Sequence, residues 1–412
     1  MSLFYRSFFA IFSLGVLLQG ARGADRSSEE AEAAITGYSL PSIWQPATIL
    51  PDDAEAQAKW QSISGSIPTN ISGTPTGDFS DVSYPTDDPD CWWTNSKCVI
   101  PKLQGLPPDV ASVPEPLTLG YGFDDGPNCS HNAFYDYLTS QDQKATMFYI
   151  GSNVMNWPLE AQRAITDGHE VCVHTWSHRY MTALASEDAF AELYYKMQAI
   201  NLVTGVTPKC WRPPFGDVDD RIRAIANALD LQTVIWKYDS NDWKVGTDGV
   251  TAETVDGNYQ SLVDNAENGT FSTEGAIMLT HELNNYTMAT AIQWYPQLKA
   301  AFKYIVPIAV ALNNTQPYVE TDYPMPSFEQ YISGETTITN SSDSDSTSTS
   351  ISDSADTGTE TQSGSASTSE LKASSTSTGQ ASATKQNGAS LVSPDIGSSF
   401  WVALAALGYL TF

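Results

Sequence analysis

Two adjacent acids, Asp124 and Asp125, a histidine pair four residues apart, His174 and His178, and a later His281 are the groups of this 412-residue chain best suited to chemistry. Asp125, His174 and His178 offer one carboxylate oxygen and two imidazole nitrogens, a set that suits Zn²⁺ or a similar divalent metal and leaves positions open for water and substrate. Asp124 is then free to act as a general base. A carboxylate of pKa about 4 faces a gap of roughly 12 units, about 16 kcal/mol, in deprotonating bulk water. A metal that brings the pKa of water down to about 7 cuts that gap to roughly 3 units, about 4 kcal/mol. His281 is placed as a general acid that protonates a leaving group, with Asp239 stabilising its imidazolium form. Arg212 would pair with Asp124 and keep it ionised. The turn Pro213-Pro214-Phe215-Gly216 can aim the Phe215 backbone N–H at a developing oxyanion. Trp243 and Leu279 would wall a small apolar pocket, or serve simply as core.

These residues need a frame that gathers them. From Glu115 onward, apolar strand-like runs alternate with segments of helical period. Strands are expected over 117–123, 145–150, 170–173, 209–212, 233–238, 276–279 and 305–311. Helices are expected over 132–139, 159–167, 186–203 and 289–304, and one carries Ile222, Ile225 and Leu229. In the 186–203 segment Ser186 reads as the N-cap, and Phe190, Leu193, Tyr194, Met197 and Ile200 share a face. Such alternation implies a parallel α/β sheet, open or closed into a barrel, with chemistry at the carboxyl ends of the strands. The polar motifs fall at those ends. Asp124-Asp125 closes the first strand, His174 and His178 follow the third, and Arg212 ends the fourth. Asp239 and Asp242 follow the fifth, and His281 comes two residues after Leu279. Three of the chain's five histidines are therefore at strand ends, too many for scattered loop residues.

Five motifs in this order resemble those of the polysaccharide deacetylases, the NodB-homology group of carbohydrate esterases. They are Phe123-Asp124-Asp125-Gly126-Pro127, His174-Thr175-Trp176-Ser177-His178, Arg212-Pro213-Pro214-Phe215-Gly216, Asp239-Ser240-Asn241-Asp242-Trp243 and Leu279-Thr280-His281. The resemblance implies a distorted (β/α) barrel and metal-dependent hydrolysis of N-acetyl groups. It gives Asp124 as base, Asp125, His174 and His178 as metal ligands, His281 as acid, and Arg212 and Asp239 as their supports. Zn²⁺ is the expected metal, with Co²⁺ as second choice. Within the group the chain is most similar to the fungal, glycosylphosphatidylinositol (GPI)-anchored enzymes acting on chitin, which implies chitin or its oligomers as substrate, chitosan and acetate as products, and a monomer. Xylan or peptidoglycan deacetylation is the alternative within the reaction class, and non-catalytic glycan binding in the wall is the alternative outside it. Two departures from the family pattern stand out: Phe215 replaces a usual Tyr, and Gly122 replaces a usual Thr or Ser.

Composition agrees with a secreted, wall-facing chain. Its 48 acids against 20 bases give a net charge of −28, which argues against nucleic acid or an anionic surface as partner. Residues 1–23 read as a signal peptide, with Arg6, an apolar core and Ala21-Arg22-Gly23. An irregular extension follows over 24–114, the deacetylase-like domain over 115–313, and a short C-terminal extension over 314–336. Residues 337–387 form a disordered Ser/Thr-rich stalk, and 388–412 a GPI signal to be removed after attachment at Asn387 or a neighbour. This places the mature chain at the outer face of the plasma membrane, with wall glucan as a further partner. Asn70, Asn128, Asn268, Asn285, Asn313 and Asn340 head glycosylation sequons. Of five cysteines, Cys91 and Cys98 are expected to pair, Cys172 and Cys210 to remain buried thiols, and the odd count leaves one unpaired.

Overall fold

The strand expected over 117–123 is in fact two strands, and the break shapes the barrel. In the computed structural model, which describes residues 38–71 and 83–338, β1 (Thr118–Gly120) and β2 (Gly122–Gly126) run in line with Tyr121 between them. The others are β3 (Thr146–Tyr149), β4 (Glu170–Val173), β5 (Cys210–Trp211), β6 (Gln232–Thr233), β7 (Tyr238–Asp239), β8 (Ala276–Leu279) and β9 (Tyr304–Val306). They form two sheets, in the orders β7-β8-β1-β9 and β2-β3-β4-β5-β6. Every strand pair among the described residues is parallel. Tyr121 serves both sheets: its N–H donates to the Val306 carbonyl and its carbonyl accepts from Thr146 N, each at 2.9 Å.

β8 keeps one register beside both halves, pairing Leu119 with Ala276 and Asp124 with His281. On the other edge β9 flanks β1 and β3 flanks β2. The strand expected over 233–238 splits in the same way, β6 pairing with β5 and β7 with β8. These two switches close the sheets into a ring, a distorted (β/α) barrel. β2, β3, β4 and β8 are buried at every position, as parallel strands covered on both faces must be. Gly122 also finds its reason here. A Cβ at that position would lie 2.9 Å from the Thr146 carbonyl oxygen, so the approach of β2 to β3 excludes the usual Thr or Ser.

The helices follow their sequence signals with local corrections. Helix Ser186–Thr204 stops at Gly205, whose φ of 78° gives a left-handed cap. Ser186 lies inside this helix and does not cap it; the N-cap is Ala185, and the Ser186 hydroxyl accepts from Arg221 instead. Helix Asp220–Ala228 is capped by Asp219, which accepts from Ile222 N, and helix Asn285–Ala301 by a box between Asn284 and Thr287. The strand expected over 305–311 ends at Val306 because Pro307 introduces the helical turn Ile308–Ala311. Besides short turns such as Trp93–Ser96, Gly151–Asn156 and Phe328–Ile332, two longer helices among the described residues had no expectation: Ala252–Glu267, and Ala54–Ser64 inside the otherwise irregular N-terminal extension. The latter places Trp60 against Phe190, ring centroids 5.4 Å apart.

Cys91 and Cys98 are bonded. Cys172 and Cys210 are bonded too, which corrects the reading of buried thiols. β4 and β5 are neighbours with Val173 opposite Trp211, so the two preceding cysteines face each other with Cα atoms 5.1 Å apart. Cys129 is left free and exposed. Residues 1–23, the stalk from 339 onward, the segment 388–412, Asn340 and Asn387 lie outside the described residues. No helix among the described residues is long and apolar enough to cross a membrane.

Candidate active site

The strand ends do converge. β2 carries Asp124 and Asp125 just before its last residue, Gly126, β4 leads directly into His174, Arg212 follows β5, and His281 lies two residues beyond β8. The Asp125 Oδ1 atom sits 3.4 Å from His174 Nε2 and 3.2 Å from His178 Nε2. These ligand atoms all lie within 4.8 Å of one another. Asp125 Oδ1 is buried yet has no hydrogen-bond partner among the described residues. Burial alone would raise its carboxyl, but the His178 and His174 imidazoles facing it hold it well below the usual carboxylate range. His174 Nδ1 lies 2.8 Å from the Arg212 carbonyl oxygen. A carbonyl only accepts, so Nδ1 carries a proton and Nε2 is the nitrogen turned toward Asp125 and His178. A carboxylate oxygen without a hydrogen-bond partner among the described residues, with an oriented imidazole nitrogen and a second imidazole beside it, fits a divalent cation.

Asp124 lies at the rim of that cluster. Its Oδ1 accepts from Arg212 NH1 at 2.7 Å, and its Oδ2 is 3.7 Å from His174 Nε2. Arg212 is fully buried, stacks its guanidinium 4.0 Å over Phe148, and leaves Nε and NH2 without hydrogen-bond partners among the described residues. The Asp124–His281 register brings these two residues side by side, with Asp124 N donating to the Thr280 carbonyl and Glu282 N to the Asp124 carbonyl.

The partner of His281 is Asp242, not Asp239. Asp242 Oδ1 lies 2.6 Å from His281 Nδ1, and its Oδ2 accepts from the His281 backbone N–H at 3.0 Å. Burial would lower the His281 pKa, but the Asp242 carboxylate overrides it, and with Asp125 and Asp124 pushes it up to about 10. Asp239 instead accepts from Asn241 N at 2.8 Å, closing a turn in which Asn241 has φ 54°. Asp239 therefore closes the loop and feels His281 only through its charge, while Asp242 bonds the imidazole directly.

The surrounding backbone is held in costly conformations. Asp125, Thr175, His178 and Phe215 have φ values of 73°, 62°, 57° and 58°. Each such non-glycine residue costs about 1–2 kcal/mol, which the packing around it must offset. Part of that support was not anticipated from sequence: Asn153 Nδ2 donates to the Asp125 carbonyl at 2.7 Å. Gly126 is required because a Cβ there would overlap the Glu282 carboxylate. The Phe215 ring packs 4.7 Å from His178 and stacks 4.1 Å from Tyr180. Trp243 is 39% exposed with its ring 6.5 Å from His281, so it can form an open wall, whereas Leu279 is buried in the core. Among the sequon residues Asn70, Asn268, Asn285 and Asn313 are exposed. Asn128 is half-buried and occupied, donating to the Leu283 carbonyl and accepting from Ser130.

Comparison with known proteins adds a lineage to this geometry. A family model described as polysaccharide deacetylase matches residues 114–234. Chitin deacetylase 2 of Cryptococcus neoformans var. grubii serotype A is 56% identical over 310 residues, covering 74% of this chain and 68% of that protein. The chitin deacetylase of Amylomyces rouxii is 46% identical over 289 residues, covering 69% and 68% respectively. The solved structure of the chitin deacetylase from Colletotrichum lindemuthianum aligns over 52% of this chain and 96% of that one, with a TM-score of 0.47 and 22% identity.

Proposed function

The chain belongs to the polysaccharide deacetylase family, and from that premise we propose that it hydrolyses the N-acetyl groups of N-acetylglucosamine units in chitin, giving chitosan and acetate. The observation that carries the reading is one cluster in which Asp125, His174 and His178 meet while Asp124 and His281 flank them from paired positions. A divalent cation held by Asp125, His174 and His178, with Zn²⁺ ahead of Co²⁺, would polarise the acetamide carbonyl and acidify the attacking water.

The chain's own residues supply the proton transfers. Asp124 takes a proton from the water as its oxygen adds to the acetamide carbon, and Arg212 orients that carboxylate through Oδ1. His281, kept protonated by Asp242, gives its proton to the departing amine nitrogen as the C–N bond breaks. The Phe215 backbone N–H is assigned to the developing oxyanion, a contribution of about 3–4 kcal/mol where such a donor is removed. Replacing Tyr by Phe at that position leaves a main-chain donor intact.

The test is timed acetate release from defined chitin oligomers, before and after chelation and with Zn²⁺ or Co²⁺ returned. Loss on chelation and recovery on reloading is expected; full activity in chelator would reject the metal reading. Faster release from acetylated xylan or peptidoglycan would reject chitin as substrate. We also place the chain outside the cell, GPI-anchored near Asn387 at the membrane and wall. Two disulfides support an oxidising compartment, and four exposed sequon asparagines are accessible to glycosylation. Release of the protein from intact cells by a phosphatidylinositol-specific phospholipase checks the anchor.

A further inference from the structure

The tripeptide between the two histidines, Thr175-Trp176-Ser177, is gripped from behind by a carboxylate that the chemistry above does not use. Glu192, fully buried in the middle of helix Ser186–Thr204, accepts from Trp176 N at 2.9 Å and Ser177 N at 2.8 Å through Oε2. Its Oε1 accepts from the Ser177 hydroxyl at 2.6 Å and from Ala47 N at 2.8 Å. Four donors fill the lone-pair sites of one carboxylate. Three come from the turn that carries His178, and the fourth from the N-terminal extension.

The same stretch of the extension ties itself to the turn elsewhere. Trp176 Nε1 donates to the Ser42 carbonyl at 3.1 Å, and Arg179 NH2 to the Trp44 carbonyl at 3.2 Å. Trp44 N donates to the Ser152 hydroxyl, which donates in turn to the Trp176 carbonyl, each at 2.8 Å. The stretch is anchored further along by Leu50 N on the Tyr195 hydroxyl, and that hydroxyl on Asp53. Thr175 and His178 both hold left-handed backbone, so the turn depends on contacts outside itself.

We propose that Glu192, together with residues 42–53 of the N-terminal extension, is a strap that sets the Thr175–His178 turn in its metal-holding geometry. This makes Glu192 a positioning residue for His174 and His178 and gives the extension a task in the deacetylase site. The inference rests on the metal reading above. Ligands oriented by such outer contacts typically lose 10–100-fold in metal affinity when the contacts are cut.

The experiment is a Zn²⁺ titration of the purified full chain against a chromogenic chelator, with circular dichroism to establish folding at the same temperature. Glu192→Gln turns one of the two oxygens into a donor that faces other donors, and should raise the Zn²⁺ dissociation constant 10–100-fold. Trp176→Phe keeps the buried ring but removes the bond to Ser42, and should raise it by roughly threefold to tenfold; this variant decides the matter if Glu192→Gln does not fold. Unchanged Zn²⁺ affinity in folded variants, whatever their melting temperatures, overturns the strap and leaves the metal site standing. If wild type itself does not bind Zn²⁺ or Co²⁺, the metal reading falls and the strap's role falls with it.

Discussion

Two buried arginines divide this molecule into a seam and a cleft. Arg223, in helix Asp220–Ala228, uses its whole guanidinium: Nε and NH2 grip both Asp109 oxygens at 2.9 and 2.7 Å, and NH1 and NH2 reach the Cys91 and Cys98 carbonyls at 2.6 and 3.1 Å. It fastens the disulfide-closed part of the extension to the barrel. Arg212, in the cleft, makes a single side-chain bond among the described residues, to Asp124, and leaves Nε and NH2 without partners there. Among those residues Asp125 Oδ1 likewise has no hydrogen-bond partner. Most buried polar groups in folded proteins are satisfied. An arginine that fills every bond is spent on cohesion, while one that leaves bonds open keeps them for groups that arrive later.

This contrast is broken most directly by exchanging effects. Asp124→Asn keeps an acceptor for Arg212 but removes the base, and should lower kcat/KM by about 10³-fold with Zn²⁺ still bound. Full activity in that variant would remove Asp124 from the proton path. Arg223→Met should do the opposite. It leaves Asp109 buried without its partner, so stability should fall by about 3–5 kcal/mol in urea unfolding, while kcat of the folded fraction stays within about twofold. An Arg223→Met enzyme that folds normally but has lost its rate would erase the distinction between seam and cleft.

A smaller effect separates the two aspartates near His281. Its folded pKa stands at about 10 against an ordinary 6.5, so the stability it contributes is complete below about pH 6.5 and lost as pH rises through about 10. Asp242→Asn removes that carboxylate. In metal-free protein the wild-type melting temperature should fall more steeply than the variant's as pH rises from neutral toward 10. The alkaline limb of kcat/KM should move to lower pH in Asp242→Asn. Asp239→Asn, which still accepts from Asn241, should leave both curves nearly in place. Superimposable pH curves for wild type and Asp242→Asn would detach that residue from His281.

What could be read beforehand follows the same physical line. Asp124, Asp125, His174, Arg212 and His281 were legible because each sits at or next to a short apolar run, and a parallel sheet sends all such ends to one side. The choice between Asp239 and Asp242 was not, because a left-handed Asn241 decides which carboxylate turns inward and no periodicity encodes it. The Cys172–Cys210 bond depends on β4 and β5 being neighbours, a fact of sheet order rather than of either segment. Glu192 hid for a related reason. In a 19-residue helix an acid is normally on a solvated face, and here the Trp176–Ser177 turn and the N-terminal extension, which carried no strand or helix signal, cover it together. The break at Tyr121 was concealed inside a continuous apolar run, marked only by the glycines on either side of it.

The least effect is expected at a residue that challenges the division. Lys196 is fully buried one helical turn beyond Glu192, and its Nζ has no hydrogen-bond partner among the described residues. Its Nζ lies 5.9 Å from the centroid of the Tyr149 ring. Burial drives its pKa well below the usual lysine value. An unfilled bond outside the cleft should be a plain cost, since an uncompensated amine in apolar surroundings opposes folding. Lys196→Met conserves the length of the side chain and removes the charge. It should raise stability by about 1–3 kcal/mol, with acetate release unchanged; the gain should grow as pH falls below the ordinary lysine pKa, because only the unfolded chain takes up the proton, and level off once the folded amine protonates. Lower activity at unaltered stability would instead place Lys196 with Arg212, and the open bonds of this protein would then extend through the barrel wall beyond its cleft.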